Sequence, residues 1–178
     1  FGNVEVNPLK LKDHLKGIKR NYDVIVLDSS PNLDDETLAV ILASDEVLVV
    51  TTPDYPTMST SLKAAKLAKQ RGVPISGIIL NKVHKKDFEL SIGDIEGTLE
   101  IPVLAVIPHD LNVLRALSNM EPSTTYKPGS KGSEEFMKLA ASLTGEKYRK
   151  NAFQNFFSNH FPTRQDINRE IFYKRVFK

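Results

Sequence analysis

Four short runs of consecutive apolar residues recur along the first 108 positions, and each run ends in a polar turn. Strands buried on both faces of a parallel sheet show this pattern, because neither face carries solvated side chains. The runs are too short for buried helices, which need about ten residues or more. The pattern therefore predicts strands over residues 24–28, 47–53, 75–82 and 103–108.

Segments with helical features separate the predicted strands. Carboxylates at 34–36 favour a helix start, because negative charge is stabilised at the positive end of the helix dipole. Gly72 and Pro74 supply the end of another helix. Helices are predicted over 34–43, 59–71, 91–99, 111–118 and 133–143, with a polar loop at 124–129 and burial of Phe136, Leu139, Ala140 and Leu143. This alternation predicts an α/β fold with a doubly wound, mostly parallel sheet.

Polar residues follow the end of every predicted strand, at 28–32, 51–55, 81–82 and 108–110. In doubly wound sheets, residues just past the strand ends line the ligand site. Asp28 is the most informative of them, because a carboxylate at the end of an apolar run is costly unless a cation offsets its desolvation. Asp28 is therefore a candidate magnesium ligand, although it could instead cap the following helix or simply end the strand.

The sequence contains no Gly-x-x-x-x-Gly-Lys-Ser/Thr motif, the loop whose backbone N–H groups cradle phosphates. Lys131-Gly132-Ser133 lacks the upstream glycine and a preceding strand, so we expect it to begin an ordinary helix. The chain opens at Phe1 and reaches a late sheet element by Asp28. We therefore expect a phosphate-binding part upstream of Phe1.

The composition divides the chain near Gly145. Residues 1–145 have a net charge of −3, whereas residues 146–178 have a net charge of +5 and hold six of the nine phenylalanines. We expect an α/β body at 1–145 and a basic, Phe-rich helical tail at 146–178. The absence of cysteine excludes disulfides, thiolate metal sites and cysteine nucleophiles. No metal-ligand spacing relates His14, His84 and His160.

The tail carries an amphipathic aromatic segment. At helical spacing, Phe153, Phe156, Phe157 and Phe161 share one face, and basic residues precede them. Residues 147–161 could therefore lie on a membrane surface, or the phenylalanines could pack onto the body or a partner subunit. Apolar residues of the terminal stretch 167–177 spread around the helix and make a poor membrane helix. No known nucleic-acid-binding motif accompanies the positive charge of the tail, so we do not expect nucleic-acid binding.

Five motifs in order carry a resemblance to a known family. They are Asp28-Ser29-Ser30-Pro31, Val49-Val50-Thr51-Thr52-Pro53, Ile79-Leu80-Asn81-Lys82, Val106-Ile107-Pro108-His109-Asp110 and Tyr126-Lys127-Pro128-Gly129-Ser130-Lys131-Gly132-Ser133. Over residues 20–145 the chain resembles the second half of the MinD/ParA family of deviant-Walker P-loop ATPases, and archaeal-type MinD members are the most similar. The resemblance implies that residues 1–145 are the C-terminal part of a P-loop ATPase domain, from the Walker B strand to the last helix. The tail is not covered by this resemblance.

The resemblance implies roles for the residues around Asp28. Asp28 would be the catalytic Walker B aspartate, which holds Mg²⁺ through water. The loop 29–35 would be the switch that senses the terminal phosphate, with Ser29, Ser30, Pro31 and Asn32 at its centre. Many relatives read Asp-x-Pro-Ala-Gly there, and this chain departs from that pattern at Ser30, Pro31 and Asn32.

The resemblance also implies a nucleobase site. Asn81 would read adenine, because a side-chain amide both donates to and accepts from an adenine edge. Guanine-reading relatives carry an aspartate where this chain has His84. Pro108, His109 and Asp110 would frame the other side of the base, with His109 in contact through its backbone. The alternatives are that Asn81 only turns the chain and that Asp110 only caps the next helix.

The resemblance implies a MinD/ParA-like ATPase that binds and hydrolyses ATP and cycles between monomer and dimer, with ATP/ADP and Mg²⁺ as cofactors. ATP would join two subunits into a homodimer, and an activator protein could stimulate release. Such proteins act in cell division or spatial positioning, in the cytoplasm or peripherally at the membrane. One alternative is a non-hydrolysing nucleotide- or partner-binding module of the same fold. Another is an unrelated doubly wound domain of small-molecule metabolism. We do not expect this chain alone to hydrolyse ATP.

In the family, the phosphate-loop strand lies between the Walker B strand and the strand that follows it in sequence. Without that element we expect one of two arrangements. Residues 24–28 could pair directly with 47–51, or a strand from another chain could fill the space between them.

Overall fold

The computed structural model describes residues 8–30, 34–148 and 162–177. Eleven elements lie in these ranges. In chain order they are α1 (Pro8–Lys19), α2 (Asp35–Ala43), β1 (Val47–Thr51), α3 (Tyr55–Gln70), β2 (Ile75–Val83), α4 (Ile92–Leu99), β3 (Val103–Pro108), α5 (Leu111–Ser118), α6 (Ser123–Tyr126), α7 (Lys131–Leu143) and α8 (Arg164–Phe177).

The three strands form one parallel sheet in the order β1-β2-β3. Helix α3 connects β1 to β2, and α4 connects β2 to β3. One hydrophobic cluster joins the sheet to α3 and α4 through Ile78, Leu80, Ala65 and Ile95. A second cluster joins β3 to α7 and α8. Helices therefore pack on both faces of the sheet, α3 and α4 on one and α7 and α8 on the other. This confirms the α/β prediction and the strands predicted at 47–53, 75–82 and 103–108.

Gly77 allows the close approach of β2 and β3. The pairing between these strands shifts register between Ile78 and Ile79. A Cβ atom at Gly77 would stand 2.4 Å from Cγ of Leu104, a buried side chain on β3. Since real Cβ atoms do not come this near to another atom, only glycine fits this position without movement of the neighbouring strand.

Side-chain caps set the helix starts. Asp54 accepts a hydrogen bond from the backbone N–H of Thr57 (2.9 Å), so α3 begins at Tyr55, four residues earlier than predicted. Ser130 accepts from the N–H of Ser133 and starts α7 at Lys131, which agrees with an ordinary helix start there. Part of the predicted polar loop at 124–129 is instead the short helix α6.

The buried face of α7 differs from the prediction. Leu139 is buried and Phe136 and Leu143 are half-buried, but Ala140 is exposed and Glu135 is buried. Glu135 is tolerated there because Arg169 of α8 forms an ion pair with it. A periodicity count assigns carboxylates to the solvent side and cannot foresee a partner 34 positions later.

Helix α8 packs against β3 and α7, and it buries Phe172. The predicted aromatic face at 153–161 lies outside the described residues, and so does most of the segment 147–161. Within the ranges that the structure describes, no helix combines the length and apolar character needed to cross a bilayer.

Candidate functional site

A cleft of about 1050 Å³ separates residues 22–30 from β1. Residues 22–30 and β1 form two of its walls, and Phe172 and Val176 of α8 also line it. Val26 is 84% exposed and Val50 is 57% exposed, although both belong to apolar runs. Among the described residues, the edge of β1 away from β2 has no strand partner.

The prediction of a strand at 24–28 that pairs directly with 47–51 is therefore wrong. The segment forms no ladder with β1. Contacts on either side of the segment anchor it. Before it, Lys19 pairs with Asp45 (2.7 Å), and after it, the carbonyl of Ser30 accepts a hydrogen bond from Thr37 Oγ1 on α2 (3.0 Å). Residues of both segments line the cleft. The alternative, a strand from another chain, stays a prediction.

These two anchors also give the direction of the segment. Asp45 lies just before β1, so residue 19 is near the start of that strand. Because helices that connect strands of a parallel sheet run antiparallel to them, we infer that Thr37, in the first turn of α2, lies toward the end of β1. The segment 22–30 therefore runs in the same direction as β1. This places Asp28 toward the side where the strands end, which we call the carboxyl edge.

Asp28 is exposed, and among the described residues no side chain pairs with it. Asp34 caps α2 by accepting from the N–H of Thr37 (3.0 Å), so the alternative that Asp28 is the cap is wrong. Ser29 is exposed and Ser30 is half-buried. Pro31 and Asn32, the other two candidate switch residues, lie outside the described residues.

Asn81 lies near the end of β2 and is half-buried. Its Oδ1 accepts a hydrogen bond from the backbone N–H of Lys82 (2.9 Å). Lys82 has a φ of 56°, in the left-handed region that non-glycine residues seldom occupy. Asn81 thus helps to turn the chain, as one alternative expected. Among the described residues its amide NH₂ donates to no group, so this donor is available to a ligand.

Asp110 bridges two helix starts. One carboxylate oxygen accepts from both the backbone N–H and the side-chain amide of Asn112 (both 2.8 Å), and the other accepts from the N–H of Gly132 (3.1 Å). It therefore caps α5, as expected, and also contacts the first turn of α7. Burial opposes ionisation, but these hydrogen bonds outweigh it and lower the pKa of Asp110 from its ordinary value of 3.8 to about 2.

Replacing Asp110 by alanine is expected to lower the free energy of unfolding by about 1–3 kcal/mol at neutral pH, because two helix starts lose an acceptor. A carboxylate with a depressed pKa stabilises the fold above its unfolded pKa of 3.8, and this contribution is lost as the pH falls toward about 2. The difference between the two proteins should therefore shrink over that range.

Urea titrations at a series of pH values would measure this difference. Asp87→Ala, at an exposed position, is the matched control and should change stability little. A difference between wild type and Asp110→Ala that stays constant from pH 5 to pH 2 would contradict the assignment.

His84 and His109 stack on each other at the carboxyl edge. Their ring centroids are 4.4 Å apart with an interplanar angle of 22°. Backbone pairing brings them together, since Val83 stands opposite Pro108 and the N–H of His109 donates to the carbonyl of Val83 (2.9 Å). Sequence reasoning treated both histidines separately and missed this contact. The available signal was that each follows the end of one of two neighbouring parallel strands.

The structure thus brings Asn81 and the turn 108–110 together at the ends of adjacent strands. Asp28 lines the cleft on the side opposite β1, and from the direction inferred for its segment we place it at the same edge. The three groups follow three parallel segments. Within the described residues no group of three His, Cys, Asp or Glu side chains could hold a metal ion. A cation here would therefore take most of its ligands from elsewhere.

Comparisons with known proteins agree with this fold. The AAA domain family model matches residues 27–116. The cell division ATPase MinD of Pyrococcus furiosus superposes with a TM-score of 0.71 at 31% identity, over 77% of this chain and 58% of that one. The septum site-determining protein MinD of Pyrococcus horikoshii, solved in complex with Mg-ADP, gives 0.71 at 27% identity, over 86% and 60%.

A curated relative, an uncharacterized ATP-binding protein of Methanocaldococcus jannaschii, is 34% identical over 141 residues, which cover 79% of this chain and 53% of that protein. The chain thus spans about half the length of the curated relatives it matches. The parallel sheet with flanking helices defines an α/β fold of the P-loop NTPase class. The chain belongs to the MinD/ParA-like family of P-loop ATPases. An unrelated metabolic domain is therefore excluded.

Proposed function

We propose that this chain is part of a MinD/ParA-like ATPase that binds and hydrolyses ATP and cycles between monomer and dimer in cell division or spatial positioning. The observation that carries the proposal is the carboxyl edge. There, an unpaired carboxylate, a side-chain amide and the turn 108–110 follow three parallel segments in a chain 31% identical to a cell division ATPase.

Asp28 would hold Mg²⁺ through water beside the nucleotide phosphates. Mg²⁺ binds proteins through one or two carboxylates and keeps waters and phosphate oxygens as its other ligands. An exposed, unpaired carboxylate without neighbouring acidic ligands fits this coordination. When bound, Mg²⁺ neutralises charge that develops on the transferring phosphoryl group. Ser29 and Ser30 would belong to the switch that senses that phosphate, with Pro31 and Asn32.

Asn81 and the turn 108–110 would hold the nucleobase. The amide NH₂ of Asn81 is available as a donor, and its oxygen keeps a second lone pair beside the bond from Lys82. Asp110 is committed to two helix starts, so its role would be to fix the backbone of Pro108 and His109 against the base. The proposed ligand is therefore an adenine nucleotide, ATP or ADP.

The cleft would seat the strand that carries the phosphate loop. Its two walls run in the same direction, and β1 presents an edge without a strand partner among the described residues. A parallel strand between them would satisfy this edge and cover Val26 and Val50. It would also bring phosphate-binding N–H groups to the carboxyl edge, between Asp28 and Asn81.

ATP-dependent self-association of the complete protein tests the proposal. Because the nucleotide would lie between two subunits, the mass measured by light scattering should double with Mg-ATP and stay monomeric with Mg-ADP. GTP at the same concentration serves as the control for the base site. Identical behaviour with ATP and ADP would contradict the proposed cycle.

A second candidate function is a non-hydrolysing nucleotide- or partner-binding module of the same fold. A complete protein without a lysine-bearing phosphate loop would favour it. It predicts that the complete protein binds ADP without turning over ATP. Phosphate release from ATP by the complete protein would therefore separate the two candidates.

The proposed location is the cytoplasm, with peripheral contact to a membrane surface through residues 147–161. The net charge of +5 over residues 146–178 supports attraction to anionic lipid. An activator protein that stimulates hydrolysis completes the proposal, by analogy with the family. Nucleic acid is not part of it.

A further inference from the structure

The stacked histidines join two loops that the sheet itself leaves separate. His84 lies one residue past β2, and His109 lies one residue past β3. The bond from the N–H of His109 to the carbonyl of Val83 (2.9 Å) is the last backbone link between these strands. Beyond it, the side-chain contact at 4.4 Å between ring centroids is what holds the loop tips together.

The loop that carries His84 is held in an unusual backbone conformation. Lys82 and Lys85 have φ values of 56° and 59°, in the left-handed region that is costly for residues other than glycine. Glu89 accepts hydrogen bonds from the N–H groups of His84 (2.8 Å) and Lys86 (3.1 Å). Such a conformation persists only where the surroundings enforce it. The Glu89 carboxylate and the imidazole of His109 are two groups that contact this loop.

We propose that the His84–His109 stack is a positioning element that sets the spacing between Asn81 and the turn 108–110, and thereby the affinity for the nucleobase. This inference rests on the proposed adenine site. Asn81 lies near the end of β2, three residues before His84, and Pro108 and Asp110 flank His109. When the rings separate, this contact no longer sets the distance between the Asn81 amide and the turn 108–110.

Both imidazoles are exposed, so the stack contributes little buried area to the fold. If the stack had only a structural role, its removal would change neither the melting temperature nor the nucleotide affinity much. A positioning role predicts a different result, because a stacked aromatic pair is worth enough energy to change an affinity about three- to tenfold. Nucleotide affinity should fall while thermal stability is retained.

The test uses the complete protein with Mg-ADP as the probe. His84→Ala and His109→Ala should each weaken binding about three- to tenfold, measured by calorimetry. The double variant should bind no more weakly than the worse single variant, because both substitutions remove one shared contact. His84→Phe combined with His109→Phe should restore the affinity, since stacking is retained.

His14→Ala, an exposed histidine on α1, is the matched control and should bind as wild type does. The melting temperature should fall by no more than about 4 °C in any variant, the shift that corresponds to about 1 kcal/mol in a protein of this size. Unchanged affinity in both single variants, or additive losses in the double variant, would overturn the inference while wild-type binding keeps the proposed function intact. Failure of the wild-type protein to bind Mg-ADP would overturn the proposed function itself.

Discussion

Replacing Asp28 by asparagine is expected to reduce ATP hydrolysis by the complete protein at least about 100-fold, a loss typical for removal of one group that stabilises transition-state charge. Asparagine keeps the size of the side chain but carries no charge to hold Mg²⁺ through water. Because Asp28 is exposed and unpaired among the described residues, its loss removes no interaction that stabilises the fold. Binding of ADP and the melting temperature should change little.

Asp23→Asn is the matched control for this experiment. Asp23 is an exposed carboxylate on the same segment, but it lies toward the start of β1, at the opposite end from Asp28. Phosphate release should therefore remain close to the wild-type rate. Hydrolysis by Asp28→Asn above about a third of the wild-type rate would contradict the assignment of Asp28, and an equal loss in Asp23→Asn would point to a general charge effect.

Replacing Arg169 by alanine is expected to lower the free energy of unfolding by about 2–4 kcal/mol, because it breaks a buried ion pair and removes a hydrogen bond to the carbonyl of Leu104. Arg169 is 7% exposed and Glu135 is also 7% exposed. The guanidinium donates to Glu135, to Asp166 and to the carbonyl of Leu104 on β3 (2.8 Å). Its removal leaves the buried Glu135 carboxylate with Lys138 (3.3 Å), a half-buried lysine on the same helix, as its remaining ion-pair partner.

Asp166 reports on the same network. Burial opposes its ionisation, but hydrogen bonds from Thr163 and Arg169 and the charge of Arg169 outweigh burial and lower the pKa of Asp166. The network therefore stabilises the attachment of α8 above the ordinary carboxyl pKa. Helix α8 also lines the cleft through Phe172 and Val176, so its detachment would remove part of the cleft wall.

Urea denaturation of the wild type and two comparison variants measures this cost. Lys174→Ala removes an exposed pair with Glu170 (3.2 Å) on the same helix and should cost less than about 0.5 kcal/mol. Combining Arg169→Met with Glu135→Leu should cost less than Arg169→Ala, because no buried carboxylate remains and Asp166 and Lys138 are partly exposed to solvent. A loss below about 1 kcal/mol in Arg169→Ala would contradict this expectation and show that Lys138 and water suffice to compensate Glu135.

The strands at 47–53, 75–82 and 103–108 could be predicted because each is a continuous apolar run with a partner in the sheet. The run at 24–28 carries the same local signal and yet forms no strand. A strand is defined by the backbone groups that it pairs with, and local composition cannot report whether that partner is present. The contacts at Asp45 and Thr37 hold the segment on the α2 side of the cleft instead.

The candidate site divides in the same way. Residue types alone selected Asp28, Asn81 and the turn 108–110, because polar groups after apolar strands meet at one edge of a parallel sheet. Their chemistry depends on contacts that no local pattern contains. Asp110 acquires a second partner 22 positions away at Gly132, and His84 meets His109 only because β2 and β3 pair in parallel.

By itself, the sequence determined the class of fold, the bounds of α2, α4 and α5 to within one residue, and the residues that follow each strand. These depend on periodicity, capping and glycine or proline over a few neighbouring positions. Only the tertiary structure decided that Glu135 is buried rather than Ala140, that α8 is fixed through Arg169, and that a cleft separates residues 22–30 from β1. These features depend on charges and backbone groups far apart in the chain, whose energies exist only once the chain has folded.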